Sequence, residues 1–438
     1  MMSLPINQII QGDCREVMRR FPPESIDLVM FSPPYYGSRD YGEATETVWG
    51  GDQNCKHEWI EERMTLMHEN RNFLIGKQEE DHKAKPTTYI KKYDDKTSKF
   101  CVKCGAWRGQ LGLEPSWQMY IQHMIEICRE IKRVLKKTGS MYIVIGDTYA
   151  GSHRGRGDKT LFQNYRRIKV DGNLYDEPSP QATADLPPKC LMGIPWRLAF
   201  ALMDDGWILR NDIIWYKPNH MPSSVKDRLT QTYEHIFHFV KSRKYYYNLD
   251  AIREPHKTES VERWNRALRQ TKNTNAKLRR KLLETTRVVF STIVPKWFEY
   301  TKHDLAVGRV GNYSYTDPLH SKAYNIKGKN PGDFWSVPTK PFKAAHFAVY
   351  PVSICVRPIL SSCPPDGIVL DPMVGSGTTC LAAQLINLKR WDLLDYEPNE
   401  IAKNTNWALK WIGVDVNPEY VKIANNRLKP FLLKTLLI

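Results

Sequence analysis

An α/β fold with a mainly parallel, mixed sheet is the architecture this sequence predicts. Three observations predict it. Short apolar runs of strand length alternate with amphipathic stretches of helical length. One such run passes straight into a Gly-x-Gly turn and a helix. The chain is long enough, at 438 residues with 41% hydrophobic, to bury one large core with one appended domain.

Each element can be justified in chain order. Ser25-Ile-Asp-Leu-Val-Met-Phe31 reads as a short buried strand that stops at Ser32-Pro33-Pro34-Tyr35, because two prolines break the ladder and force the chain out of the sheet. Trp117–Leu135 is expected to be helical, with Tyr120, Met124, Ile127, Ile131 and Leu135 at 3-to-4 spacing. Lys136 and Lys137 lie near its end and Gly139 supplies a stop. Ser140–Ile145 is the next strand, followed by Gly146-Asp147. Residues 151–185 are rich in Gly, Arg, Asp and Pro without periodicity and read as a long, mobile loop. Gly193–Met203 is a helix, and Trp207–Trp215 and His235–Val240 are strands. Beyond a basic stretch, Ala348–Leu360 is a helix, and Gly367–Leu370 is a strand leading into Asp371-Pro-Met-Val-Gly-Ser-Gly-Thr-Thr379 and another helix.

The net charge of +16 and pI near 9.3 suit a polyanionic partner, nucleic acid or an acidic membrane surface. No apolar run approaches the roughly 18–20 residues of a membrane span, and the N-terminus lacks a basic-then-apolar signal pattern. A soluble, cytoplasmic protein is expected, with no membrane partner. Cys14, Cys128, Cys190, Cys355, Cys363 and Cys380 stand alone and read as reduced core residues.

Charge is uneven. Residues 251–330 hold 17 Lys and Arg against 7 Asp and Glu, interleaved with aromatics such as Trp264 and Trp297. Taken alone, the helix expected around Arg263–Lys281 is a solvated basic face. The motifs on either side favour a nucleic-acid surface, with Arg263, Arg266, Arg269, Lys277, Arg279 and Arg280 as its contacts.

A strand ending in Asp371, then Gly375-Ser376-Gly377, then a helix opening with Thr378-Thr379 is a ligand-binding corner. The glycines permit close backbone approach and the helix start offers free N–H groups. Rossmann-like units place an acid about 20 residues on, at the next strand end, for ribose hydroxyls. Asp415 in Trp411-Ile-Gly-Val-Asp415 is the candidate, although it lies 44 residues from Asp371. The excess reads as a partial duplication: Leu388-Lys-Arg-Trp391 is echoed by Leu409-Lys-Trp411, and excising 392–411 leaves a spacing of 24. Asp395 is then a rival to Asp415, which sits in the better apolar strand.

Val369-Leu-Asp-Pro-Met-Val-Gly-Ser-Gly-Thr-Thr379 closely resembles the S-adenosylmethionine (AdoMet) motif of DNA amino-methyltransferases, and Ser32-Pro-Pro-Tyr35 resembles their catalytic motif. The order, with the catalytic motif first, the basic segment next and the cofactor motif last, resembles the circularly permuted beta class of that family. Gly12-Asp13, Phe347 to Pro358 and Gly206 to Pro218 extend the likeness over most of the chain. The resemblance implies a Rossmann-like methyltransferase. Residues 1–250 and 341–438 form its two halves and 251–340 its target-recognition region. Asp13, Asp371, Pro372, Gly375, Ser376, Gly377, Thr378, Thr379 and Asp415 are the implied cofactor-binding residues, and double-stranded DNA is the implied substrate.

An exocyclic base amine is a poor nucleophile, because its lone pair is delocalised into the ring. The Ser32 hydroxyl and Pro33 carbonyl are suitable acceptors for its two N–H bonds. Pro34 removes a donor and stiffens the corner, and Tyr35 can stack on a flipped-out base. Within the family, Ser at the first position goes mostly with cytosine N4 and Asp with adenine N6, so N4-methylation of cytosine is expected. Cytosine-C5 chemistry, which needs a Pro-Cys nucleophile, is excluded because no such dipeptide occurs.

Cys55-Lys-His57 and Cys101-Val-Lys-Cys104 offer four metal ligands across a polar stretch. Cys-x-x-Cys is a common zinc half-site and Cys-x-His a less usual one, so spacing alone leaves open two exposed thiols beside an unrelated histidine. Similar insertions in relatives, with Trp-Gly-Gly-Asp before the first pair and Cys-Gly-Ala-Trp-Arg-Gly after the second, imply a structural zinc insertion at about 50–110. Three other readings stand beside the main one: an adenine-N6 enzyme, an RNA methyltransferase, and a DNA-binding protein that has lost activity. No nuclease motif is seen, so any restriction endonuclease partner is a separate chain.

Overall fold

The computed structural model describes residues 4–61, 99–150, 168–170, 173–175, 186–187, 189–262, 327–340 and 349–432. In chain order, β1 (Gln8–Gln11) leads through α1 (Cys14–Arg19) to β2 (Ile26–Phe31). Four short strands follow: β3 (Thr47–Trp49), β4 (Trp59–Glu61), β5 (Lys99–Cys101) and β6 (Trp107–Gly109). Next come α2 (Trp117–Val134), β7 (Leu135–Ile145), the pair β8 (Ile168–Val170) and β9 (Asn173–Tyr175), α3 (Ile194–Asp204), β10 (Ile208–Tyr216) and β11 (Tyr233–Val240). The chain resumes with β12 (Phe334–Ser336), α4 (Ser353–Ser362), β13 (Ile368–Asp371) and α5 (Thr378–Asn387). It closes with α6 (Trp391–Leu394), α7 (Glu400–Asn404), β14 (Lys410–Asp415) and α8 (Pro418–Leu432).

Eight strands form the central sheet in the order β1-β14-β13-β2-β7-β11-β10-β12. The first five are parallel neighbours, β11 is antiparallel to β7 and β10, and β12 adds in parallel to β10. The sheet is therefore mixed and mainly parallel, as the alternation of elements predicts. Helices cover both faces. On β7, Met141, Ile143 and Ile145 enter the core shared with α1, α2 and α3, while Tyr142 and Val144 enter the one shared with α4, α5 and α8. Burial on both faces explains why the strands read as continuous apolar runs. Asp27 ties the centre together: both its oxygens accept from Lys136 Nζ at 2.8 Å, and one also accepts from Ile368 N at 2.9 Å, joining β2, β7 and β13.

Several expectations change. The helix ends at Val134 and Leu135 already begins β7. Gly139 is not a helix stop but part of a bulge, where the β2 pairing jumps from Leu135 to Ser140 and an added Cβ would lie 2.8 Å from Asp27 O. The stretch expected to be an aperiodic loop carries the hairpin β8–β9. Residues 391–409 do not repeat the β14 strand; they form α6 and α7, whose Leu394, Ala402 and Trp407 are buried. Phe334–Ser336, within the expected basic region, pairs with β10 at the sheet edge. No helix among the described residues is long and apolar enough to cross a membrane.

Candidate functional site

The topology brings the two sequence motifs together. β2 and β13 are parallel neighbours, with Val369 opposite Leu28 and Leu370 opposite Val29, so the turns after them open at the same carboxyl end of the sheet, where α/β proteins bind ligands. There lies a cavity of about 830 Å³, large enough for a nucleoside-sized ligand and a base. Asp13, Ser32, Pro33, Pro34, Tyr35, Pro372, Gly375, Ser376, Thr378 and Asp415 all line it.

At the β13 corner, Gly375 and Gly377 take positive φ of 49° and 82°, a conformation that favours glycine. Asp415, at the end of β14, accepts from Gly375 N at 2.8 Å and Asn417 N at 2.9 Å. Burial nevertheless pushes its carboxyl up to about 6. Asp371, Gly377 and Thr379 lie beneath the cavity wall. The Asp371 carboxylate accepts from Met373 N at 3.1 Å and Tyr350 Oη at 3.2 Å, and burial raises it to about 7. Its contacts shape the turn. Arg427 Nη1 donates to Ser376 Oγ and Thr378 Oγ1 at 2.9 and 2.8 Å. Asp13 caps α1 by accepting from Arg15 N at 2.9 Å, and the Arg15 guanidinium holds both its oxygens. Asp395, the rival acid, stands half exposed beside Lys340 and is not at the cavity.

At the β2 corner, Tyr120 Oη donates to Pro34 O at 3.0 Å. Gly112 packs so closely that a Cβ would sit 3.1 Å from Tyr35 O. Ser32 Oγ donates to Tyr35 Oη at 3.3 Å, and Tyr35 Oη donates to Glu234 Oε2 at 2.7 Å. Lys217 pairs with the other Glu234 oxygen. Burial, then the nearby Glu234 charge, hold the Tyr35 hydroxyl well above its ordinary pKa. Sequence reading missed Glu234 and Lys217, as well as Tyr41 and Tyr420, whose edge-on rings, 6.1 Å apart, also border the cavity. The available signal was an acid heading the otherwise apolar strand His235–Val240.

Cys55, His57, Cys101 and Cys104 converge: their ligand atoms all lie within 4.8 Å of one another. Cys55 Sγ is 3.9 Å from Cys101 Sγ, and Cys104 Sγ is 3.4 Å from His57 Nδ1. Burial and then its Cys104 and Cys101 neighbours push Cys55 up to about 12. At Cys101 burial acts upward, but backbone N–H donors and His57 outweigh it and bring the thiol down to about 5. Arg263, Arg266, Arg269, Lys277, Arg279 and Arg280 lie outside the described residues.

A mixed sheet with a glycine-rich ligand corner and a Ser-Pro-Pro-Tyr corner facing one cavity defines an α/β group-transfer enzyme. The chain belongs to the DNA methylase family of N6/N4 methyltransferases, whose profile matches residues 26–426. It is 29% identical over 422 residues to the type II methyltransferase M.Cfr9I of Citrobacter freundii, covering 96% of this chain and 87% of that one. It is 28% identical to M.SmaI of Serratia marcescens, covering 96% and 90%. Among solved structures it is similar to the PvuII DNA methyltransferase (cytosine-N4-specific), with a TM-score of 0.44 and 14% identity over 96% of this chain and 85% of that one.

Proposed function

We propose that this DNA methyltransferase moves a methyl group from AdoMet to N4 of a flipped-out cytosine in double-stranded DNA, as the modification enzyme of a type II restriction–modification system. The likeness to M.Cfr9I and M.SmaI supports the last clause, and the cognate endonuclease is then a separate chain. The order of motifs along the chain fits the circularly permuted beta class. The observation that carries the reading is the meeting, in one cavity, of the Ser32–Tyr35 corner and the Gly375–Asp415 corner.

AdoMet supplies an electrophilic methyl on a good leaving group. The cavity fits it: Gly375 and Gly377 leave the turn without side chains, and Asp415, which accepts from two backbone N–H groups, has further lone pairs for ribose hydroxyls. Ser32 and Pro33 accept the amine N–H bonds and Tyr35 stacks on the base. Orientation of this kind supplies several kcal/mol towards the barrier. The basic segment that includes Arg263–Arg280 takes the DNA backbone.

For the Cys/His cluster we assign a structural zinc. A tetrahedral ion with Zn–S bonds near 2.3 Å sets sulfur–sulfur edges of about 3.8 Å, close to the 3.9 Å between Cys55 and Cys101. Metal analysis of protein purified without added zinc should find close to one equivalent; less than about half counts against it.

The test of function is a nucleoside digest. Unmethylated mixed-sequence DNA is incubated with protein and AdoMet, hydrolysed, and compared with standards by mass spectrometry. N4-methyldeoxycytidine is the expected product. N6-methyldeoxyadenosine keeps the mechanism and overturns the base; no methylated nucleoside overturns the reading.

A further inference from the structure

Methylating an amine leaves a proton to be removed. Once the nitrogen has taken the methyl it carries a positive charge and one N–H too many, and the cavity must provide an outlet. The Ser32–Tyr35–Glu234 chain has the polarity such an outlet requires. Ser32 Oγ donates to Tyr35 Oη, and Tyr35 Oη donates to a carboxylate oxygen of Glu234, so each hydroxyl keeps an acceptor face turned back towards the amine. Glu234 enters from an element remote in sequence. It lies near the start of β11, opposite Trp215 of β10, and is held there by Lys217, whose ammonium also sits 4.4 Å over the Trp215 ring. On the far side, Tyr35 packs against Gly146, where an added Cβ would lie 2.8 Å from the ring. The tyrosine is thus fixed both by its hydroxyl and by its ring edge.

We propose that Ser32, Tyr35 and Glu234 form a proton relay in which Glu234 is the terminal acceptor. The inference rests on the reading that Ser32 faces the target amine. In the balanced step, the nitrogen lone pair forms the N–C bond and the electrons of the S–C bond stay on sulfur. The N–H proton moves to Ser32 Oγ, the Ser32 hydroxyl proton to Tyr35 Oη, and the Tyr35 proton to Glu234 Oε2. Each hydroxyl gives one proton and gains one, so the net change is a protonated Glu234. Glu234 does not touch the substrate; it acts through Tyr35.

Glu234→Gln and Tyr35→Phe test this. The glutamine keeps an oxygen acceptor for Tyr35 but is not a base, and phenylalanine keeps the stacking ring without the hydroxyl. With unmethylated plasmid DNA and AdoMet, each variant should lower kcat by roughly 100-fold, the lower range for proton-transfer catalysis. KM for DNA, and DNA affinity by anisotropy without AdoMet, should stay within about twofold of the wild type. The double variant should be no slower than the worse single variant, because both break one pathway. Near-wild-type turnover in either single variant overturns the relay. So does a double variant whose loss is the product of the two, or a Glu234→Gln protein that loses DNA affinity together with rate, which marks a structural prop. Digestion of the wild-type product identifies the base separately, while the variant-to-wild-type ratio alone decides the relay.

Discussion

Asp415 shows how one buried carboxylate can make cofactor affinity depend on pH. Burial lifts it to about 6, against the pull of the Gly375 and Asn417 amides. Only the ionised form accepts from two hydroxyls; protonation turns one oxygen into a donor. AdoMet affinity should therefore be full above that value and decline as pH falls through it. Calorimetric titrations between about pH 5 and 8 check this, and Asp415→Asn should bind weakly at every pH, with the dependence flattened. A flat wild-type profile would sink the role given to Asp415. Tyr35→Ala should instead abolish most turnover with AdoMet affinity nearly unchanged, since Tyr35 belongs to the base side of the cavity; a large loss of cofactor binding contradicts it. These residues were legible in the sequence because the chemistry of a Ser-Pro-Pro-Tyr or Gly-x-Gly turn is local. Glu234 and Lys217 were not. Glu234 reaches Tyr35, and Lys217 reaches Glu234, through the antiparallel register that sets Tyr216 opposite Tyr233, and no periodicity reports which strand end will face a cavity.

At the scale of elements, the 391–409 segment and the Cys/His insertion teach different things. The echo of Leu388-Lys-Arg-Trp391 in Leu409-Lys-Trp411 reads as a partial duplication that makes Asp395 a rival to Asp415. The segment's apolar residues instead pack a short helical turn onto the core, with Trp407 Nε1 donating to Ala402 O at 2.9 Å. An apolar run of that length fits a buried strand or a buried helix turn equally well, and only packing decides. Trp407→Ala should then cost about 3–5 kcal/mol in denaturant unfolding, the usual range for a buried tryptophan; a cost near zero would mean the segment is dispensable. The Cys/His ligands are held on β3–β6, which lie close to the cofactor pocket. Trp49 of β3 stacks on His123 at 4.5 Å and under Arg15 at 3.7 Å, and Arg15 grips Asp13 at the cavity wall. Removing the proposed zinc with a chelator should therefore weaken AdoMet binding as well as lower the unfolding midpoint. Cofactor affinity that survives metal removal would show that the insertion is tethered but energetically separate.

The whole molecule is arranged so that sequence order and spatial order differ. β1 from the start of the chain pairs with β14 from its end, and the two functional corners, more than 300 residues apart, meet on adjacent strands. Alternation of elements could announce a parallel sheet but not this strand order, which depends on which apolar faces find each other. Charge, by contrast, is readable without a fold. Residues 251–330 carry a net +10 of the chain's +16, and a segment that neutralises phosphates must release counterions. Each phosphate contact steepens the fall of log affinity with log salt by about 0.9. Replacing Arg266, Arg269 and Arg280 together by Glu should accordingly flatten the slope by up to about 3 and weaken binding most at low salt, where counterion release contributes most. AdoMet affinity, set by residues outside 251–330, should not move. Anisotropy titrations with a mixed-sequence duplex across a salt series separate the cases. If the slope and the low-salt affinity stay at wild-type values, these arginines do not meet the backbone, and the basic residues of the 151–185 stretch are the next to replace.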